Sequence, residues 1–327
     1  MRARAVGSAL AGLGVVALAV AVLGPVQLAA SPVELAADAS YESRAAGTDV
    51  SYLDPVTLTP RTGADVTVSV RVRSDASTGD ADADTAVREY ETTTYDTTGD
   101  GDGPLLTTTS TTVCLDRRTA EAVDCPVESV DGTRADVRGL TLAFPPGTEE
   151  RDHDVWDGTV GQALPARFAG TEEFRGLAVQ RYEQEVPEQV VGAVTVPGAV
   201  LGAPAEPALP AQVLHRGTRT LLVEPVSGVV VSTEESPRTT LRGPDGVPGA
   251  VLLSGTFTST ERTVDAAVAR AREVLDRRDL LGTVVPWTAG GLGLLLAGAG
   301  GVLVVRGRPA APAPEEDEPA PVPVPAG

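Results

Sequence analysis

Leu280–Val305 reads LLGTVVPWTAGGLGLLLAGAGGVLVV, 26 positions without an ionisable side chain. Arg277 and Arg278 precede it, and Arg306 and Arg308 follow. About 20 apolar residues carry a helix across a hydrocarbon core roughly 30 Å thick. The run is long enough to span, even with Pro286 near its start. Trp287 falls where an indole anchors a helix at the membrane interface, and Arg306 and Arg308 form a basic flank at the far end.

The N-terminus matches it. After Met1-Arg2-Ala3-Arg4 no charge appears until Glu34. Two readings fit residues 1–30. As a signal peptide they offer a basic start, an apolar stretch and an Ala37-Asp38-Ala39 cleavage site. As a retained anchor they offer Ala5–Leu23, longer than the usual 7–15-residue signal core. With the anchor kept, the basic flanks place both termini in the cytoplasm of a two-pass plasma-membrane protein and the middle of the chain outside. Small residues recur at four-residue spacing, as Gly7 and Ala11 in the first run and Gly293, Ala297 and Gly301 in the second. Such faces let helices approach closely.

Charge limits the partners. The chain has 327 residues, arginine but no lysine, and a net charge of −19. All but four of the acids and four of the arginines lie between Ser31 and Asp279, so the middle stretch carries the whole imbalance. A surface that negative repels phosphate backbones, which excludes nucleic acid. Aromatics make up only 3 % of the chain, so a core must be built from Val, Leu and Ala.

That middle stretch reads as β structure. Pro32–Ser43 has the composition of a short helix leaving the membrane. From Ala64 the pattern changes: Val66, Val68, Val70 and Val72 alternate with Thr67, Ser69, Arg71 and Arg73, the period of a half-buried strand. Val87–Thr92 and Leu105–Leu115 continue in the same β-branched style. Ala86–Glu91 (AVREYE) resembles Ala178–Glu183 (AVQRYE), and Thr112–Val123 resembles Thr220–Val231. Each second segment runs as a strand, an acid, a tight turn and a returning strand, the order of a hairpin. The reading is two related antiparallel β units, near 64–130 and 156–242, within an extracytoplasmic domain over 31–262. Residues 263–279 then show helical spacing of Val264, Ala267, Val268, Ala271, Val274 and Leu275, an amphipathic helix that packs on a core or couples the domain to the span. Residues 280–305 are the second span, and 306–327 a Pro-rich acidic tail too poor in large apolar residues to fold.

Chemistry-bearing residues are few. Cys114 and Cys125 are the only cysteines and flank the first hairpin turn; outside the cytoplasm they are expected to form a disulfide. His153 lies in EERDHDVWD, the densest acidic cluster. Asp152, Asp154 and Asp157 there are weak candidates for a divalent cation, against the simpler reading of a solvated loop. Asp96, Asp100 and Asp102 approach a calcium loop, but Thr107 occupies the position that needs a bidentate acid. No nucleophile elbow, zinc-protease helix, phosphate loop or dinucleotide fingerprint is present, so neither an enzyme nor a cofactor is expected.

Several stretches carry a resemblance through their order. They are Cys114–Val123, Gly139-Leu140, Phe144–Glu149 (FPPGTE), Trp156–Gly161 (WDGTVG), Glu172–Leu177 (EEFRGL) and Leu222–Gly228 (LVEPVSG). In that order they resemble an actinobacterial family of unknown function often labelled the porin PorA family. The resemblance covers nearly the whole chain, and Ala120 stands where the family more often has Gly. It implies an envelope location and two spans with an extracytoplasmic domain between them, and brings no catalytic residues. The label is a structural claim that this sequence fits poorly. Outer-membrane strands show apolar outward faces and aromatic girdles, whereas this chain has 4 Phe, 5 Tyr and 2 Trp.

The expectation is therefore an α+β protein, a β-rich antiparallel ectodomain between two transmembrane α-helices. Its first functional reading is a non-enzymatic module that binds or transfers a lipid or other apolar ligand. The alternative is a structural or scaffolding subunit holding an envelope protein partner, and pore formation comes third. An apolar groove in the β domain favours the first, a filled core the second.

Overall fold

The computed structural model describes residues 2–30, 33–74, 80–99, 103–204 and 207–306. Arg308, the acidic tail, Asp100 and Asp102 lie outside them. The chain divides into two compact units, one of residues 1–31 and 278–327, the other of residues 32–277.

The first unit is a helix pair. Helix α1 is Arg2–Ala30, and its stretch Ala5–Gly24 has a mean hydropathy of 2.4.

The second unit is a 15-stranded antiparallel sheet with one helix. A first meander holds β1 (Tyr41–Leu53), β2 (Pro60–Ser74), β3 (Thr85–Asp96) and β4 (Leu105–Asp116), followed by the short β5 (Ala122–Val123), β6 (Ser129–Val130) and β7 (Thr133–Arg134). A second meander holds β8 (His153–Asp157), β9 (Gln162–Phe174), β10 (Leu177–Val196) and β11 (Leu209–Glu224). Then come β12 (Val229–Glu235), β13 (Arg238–Arg242), β14 (Pro248–Ser254), β15 (Phe257–Ser259) and helix α2 (Glu261–Asp279). The sheet order is β7-β6-β4-β3-β2-β1-β14-β13-β11-β10-β9-β8, so the two meanders follow one another in the same direction. Leu140 bridges Glu121 on one side and Val155 of β8 on the other, which closes the sheet on itself. Closure removes the open edge that β8 would otherwise expose.

Tyr41–Leu53 is a strand and residues 33–40 contain no helix, which corrects the expected helix over Pro32–Ser43. Local composition loses here to long-range pinning. The Leu35 N–H donates to the Arg117 carbonyl, the Arg117 Nε donates back to the Leu35 carbonyl, and Arg88 donates to the carbonyls of Ala36 and Ala37. An extended backbone frees its own donors and acceptors for such bonds, which a helix does not.

Buried apolar side chains gather in clusters. One apolar cluster gathers Leu140, Phe144, Val155, Tyr182, Leu221 and Val223. In a second, α2 lays Val264, Ala267, Val268 and Ala271 on Leu177, Val179, Leu222 and Val231. The 3.6-residue period of α2 is thus spent on core packing. Thr260 caps that helix, its Oγ1 accepting from the Thr263 N–H.

After Asp279 the backbone takes a π-helical turn over Leu280–Val284 and continues as α3 (Val285–Arg306). Pro286 has no N–H to donate and its ring crowds the carbonyl four residues back. The wider turn just before it relieves that crowding.

Candidate functional site

The helix pair is built from glycine. Gly7 and Gly14 of α1 and Gly293 and Gly300 of α3 are all buried. A methyl added at Gly14 would lie 2.5 Å from the Ala297 backbone nitrogen, and one at Gly300 2.5 Å from that of Ala11. Gly7 faces Gly300 while Gly14 faces Gly293, so the helices run antiparallel with backbones in direct contact. Each contributes the same pattern, Gly7-Ala11-Gly14 and Gly293-Ala297-Gly300. Gly301, expected on this face, points away from it with open space around it. The outward side chains are large and apolar, among them Val16, Leu23, Leu294 and Leu295. Trp287 is 79 % exposed in the first turn of α3, and Arg306 is its exposed last residue.

Four hairpin turns of the β body share one chemistry. Asp54 Oδ1 accepts from the N–H groups of Val56 and Thr57, both at 2.9 Å. Asp116 does the same for Arg118 and Thr119, and Asp157 for Thr159 and Val160. Glu224 uses its two oxygens, one for Val226 and one for Ser227. In each turn the residue four further on donates its N–H to the carbonyl of the acid: Leu58, Ala120, Gly161 and Gly228. All four of those residues have positive φ, between 54° and 72°. A short acid that occupies two turn donors, followed by a left-handed residue, is a strong local hairpin former. The turns close β1–β2, β4–β5, β8–β9 and β11–β12, the same places in the two meanders. These hydrogen bonds hold the carboxyls of Asp54 and Asp116 below the usual range.

Two of these turns carry further structure. The segment Phe144–Thr148 docks on the Glu224 turn: Phe144 N–H donates to the Gly228 carbonyl at 2.9 Å, and Gly147 and Thr148 both donate to Pro225 at 2.8 Å. The Asp116 turn sits beside the Cys114–Cys125 disulfide, whose Cα atoms are 6.2 Å apart.

In the acidic cluster around His153, Glu149, Glu150, Asp152 and Asp154 are exposed, but His153–Asp157 is strand β8 and His153 itself is buried. His153 is 5 % exposed, packed edge-on to Phe144 at 5.3 Å and Tyr182 at 5.6 Å. Burial holds its imidazole below the ordinary histidine value, with Arg151 acting the same way. Asp157 is buried, capping its turn and facing Arg219 at 3.5 Å. Asp152 accepts from the Phe168 N–H, and Asp154 is exposed. The three aspartates are thus spent separately, and among the described residues no group of three or more His, Cys, Asp or Glu is arranged around a cation. Asp96 is likewise committed, to the Thr98 N–H and the Tyr52 hydroxyl.

A polar network that sequence reading missed centres on Arg219. It donates to Glu235 at 2.5 Å and to Gln184 at 3.0 Å, and faces Asp157. Burial opposes its charge, but Glu235 and Asp157 outweigh that and keep it above the ordinary arginine value. His215 bonds Thr239 at 2.9 Å on the neighbouring strand, and burial lowers its pKa. No sequence pattern marks these partners, since strand pairing brings them together. The bonds from Arg219 to Glu235 and Gln184 tie neighbouring strands together. An open surface depression is lined by Ala193, Pro210, Gln212, Arg242, Pro244 and Gly246 among others.

A closed, packed β body with acid-capped hairpins, in one chain with two apolar helices of membrane-spanning length, defines a class: β-rich proteins that carry a candidate membrane anchor at both ends. The chain belongs to the family described as Porin PorA, whose sequence profile matches residues 6–302. It is similar to a protein named Porin PorA from Corynebacterium resistens, at 24 % identity over 63 % of this chain and 68 % of that relative.

Proposed function

We propose that this chain is a two-pass envelope protein, with both termini cytoplasmic, whose helix pair holds the β body outside the membrane as a non-enzymatic scaffold for an envelope partner. One observation carries the reading: where large apolar side chains remain exposed. Among the described residues they concentrate on α1 and the 280–305 segment, while the β body contributes Val56, Leu58, Leu105, Val190, Val194 and Val247. A sheet that crossed lipid would need an apolar outer band, and six scattered residues do not make one. The helices have that band. The packed interior of the body favours a scaffold over a container for an apolar ligand, which needs an enclosed and largely apolar pocket. A pore, as the relative's name says of that protein, would have to be built from helices of several copies.

Retention of α1 rests on the body itself. Arg88 is 4 % exposed and donates to Ala36, Ala37 and Ser74 Oγ. Cleavage after Ala39 would remove two of these acceptors and the packed side chain of Leu35. A buried guanidinium without partners costs several kcal/mol, so a body cut at that point is poorly stable.

The test is thiol labelling of intact cells with a membrane-impermeant reagent. Thr159→Cys, in an exposed turn, is expected to label without permeabilisation. Labelling only after permeabilisation would overturn the topology. Native mass spectrometry of detergent-extracted protein separates the functional readings: a stoichiometric co-purifying lipid would replace the scaffold with the ligand-binding reading.

A further inference from the structure

The outer half of β10 has a free edge. β9 pairs with β10 only as far as Gln184, whereas β11 pairs with it to Val196. Beyond Gln184 the β9 side of β10 has no ladder partner among the described residues; the start of β9 still reaches it at Gln189 through the Gln162 side chain. A register shift between Val190 and Gly192 marks a bulge, and beyond it Gly192–Val196 (GAVTV) pairs regularly with Leu209–Val213. In an antiparallel strand alternate residues turn N–H and C=O away from the existing partner, so this run presents unpaired backbone groups to the outside.

Two other edges are blunted, while Leu105–Thr109 of β4 is, like β10, without a ladder partner on one side among the described residues. β7 has two residues, and β8 is covered by Leu140. Natural edges are also protected by charge or proline. Gly192–Val196 has neither, and Gln189–Ala205 is the longest stretch between Ser31 and Asp279 without an ionisable residue. Val190 and Val194 are 48 % and 43 % exposed.

We propose that Gly192–Val196 pairs antiparallel with the same segment of a second copy of this chain, about a two-fold axis at Val194. Charge selects a second copy. Between Ser31 and Asp279 each copy carries −19, so most faces of two copies repel, and this edge, which lies in the longest uncharged stretch of the body, lets them meet without opposed carboxylates. The segment is also self-complementary. With Val194 on the axis, Gly192 meets Val196 on one face and Ala193 meets Thr195 on the other. No bulky or charged pair arises. An isologous contact of this kind closes at two copies and leaves no further edge for polymerisation.

The test uses the full chain in membranes. In this register the two Val194 Cα atoms lie about 4.5–5.5 Å apart, within disulfide reach. Under mild oxidation Val194→Cys is expected to give at least ~10-fold more covalent dimer than Val247→Cys, a similarly exposed control off the edge. A second arm measures the mass of detergent-extracted protein by light scattering, where Val194→Lys sets two like charges against each other and is expected to weaken dimerisation roughly 10-fold or more. Equal crosslinking at both positions, a wild-type chain that stays monomeric, or a dimer indifferent to Val194→Lys would overturn the proposal. Unchanged thermal unfolding of each variant shows that the body still folds. The inference goes beyond the scaffold reading, which a monomeric chain leaves standing.

Discussion

The four acid-capped turns set the same backbone demand on different residues, so one substitution type should give graded costs. Gly228 has φ +72°, and a methyl there lands on the Phe144 carbonyl oxygen, with the carbonyl carbon 2.8 Å away and that of Pro145 at 3.0 Å. Gly228→Ala therefore adds left-handed strain of about 1–2 kcal/mol to the displacement of Phe144, a 2 % exposed ring stacked on Tyr182. Overpacking of that kind costs about 1–3 kcal/mol, for a total near 4 kcal/mol. At Gly161, with φ +66°, nothing lies within 4 Å of the added methyl, so Gly161→Ala costs only the strain, about 1 kcal/mol. Ala120 already pays that strain at φ +58° and is buried. Ala120→Gly relieves about 1 kcal/mol and loses about 0.8 kcal/mol of buried methyl, close to neutral. At about 2–4 °C per kcal/mol for a body this size, the expected falls in midpoint are ~8–16 °C, ~2–4 °C and within ~2 °C. Thermal unfolding of the detergent-extracted chain, followed through tryptophan fluorescence, measures them. Equal losses for Gly228→Ala and Gly161→Ala would refute the reasoning, because only the first has a neighbour to displace.

Arg88→Met keeps the aliphatic stem but leaves the Ala36 and Ala37 carbonyls without their donor; a loss of about 3 kcal/mol is expected in denaturant unfolding, and a loss under 1 kcal/mol would show that the 33–40 segment is not pinned there. Gly14→Leu cannot fit beside Ala297, so the helices should separate and crosslinking between cysteines placed on α1 and α3 should disappear; persistent crosslinking would count against backbone contact. The histidines set an acid limit. Burial lowers the folded pKa of His153 and His215, so the unfolded chain binds protons first as pH falls. Their contribution is fully present above the unfolded value of about 6.5 and is lost as pH drops through the depressed folded values. His153→Phe should flatten the stability profile below pH 6.5, and an unchanged slope would exclude His153 as the cause. Removing the disulfide by Cys114→Ala with Cys125→Ala should cost about 3 kcal/mol for so short a loop, read in the same unfolding experiment.

The features legible in the sequence were those with a local cause. Twenty-six uncharged positions announce a helix of membrane length, and Val66–Val72 announces β2. The Asp116 and Glu224 hairpins could be read because acid, turn residue and returning strand lie within ten positions. The Asp54 and Asp157 turns lie outside the repeated Thr112–Val123 and Thr220–Val231 pattern that marks the other two, and Leu58 and Gly161 show that the left-handed position alone has no single residue as its signal. The acidic neighbours of His153 point to solvent, but its environment comes from Phe144 and Tyr182, which the fold supplies. Pro32–Ser43 misled in the same way, since its backbone bonds go to Arg88 and Arg117, more than 50 residues away in each case. The helix contact was half legible: small residues marked the face, but Gly300 rather than Gly301 completes it, because two turns of a 3.6-residue helix return closest to every seventh residue. The docking of Phe144–Thr148 on the Glu224 turn has no local signature at all.

In the proposed topology α1 stays in the chain and pairs with α3 in one membrane, with the β body outside. The intact mass of the protein extracted from membranes tests it most directly. A mass that includes residues 5–24 is the expected result. A mature chain beginning at Ser40 would contradict it, since the helix pair and the acceptors of Arg88 would both be gone.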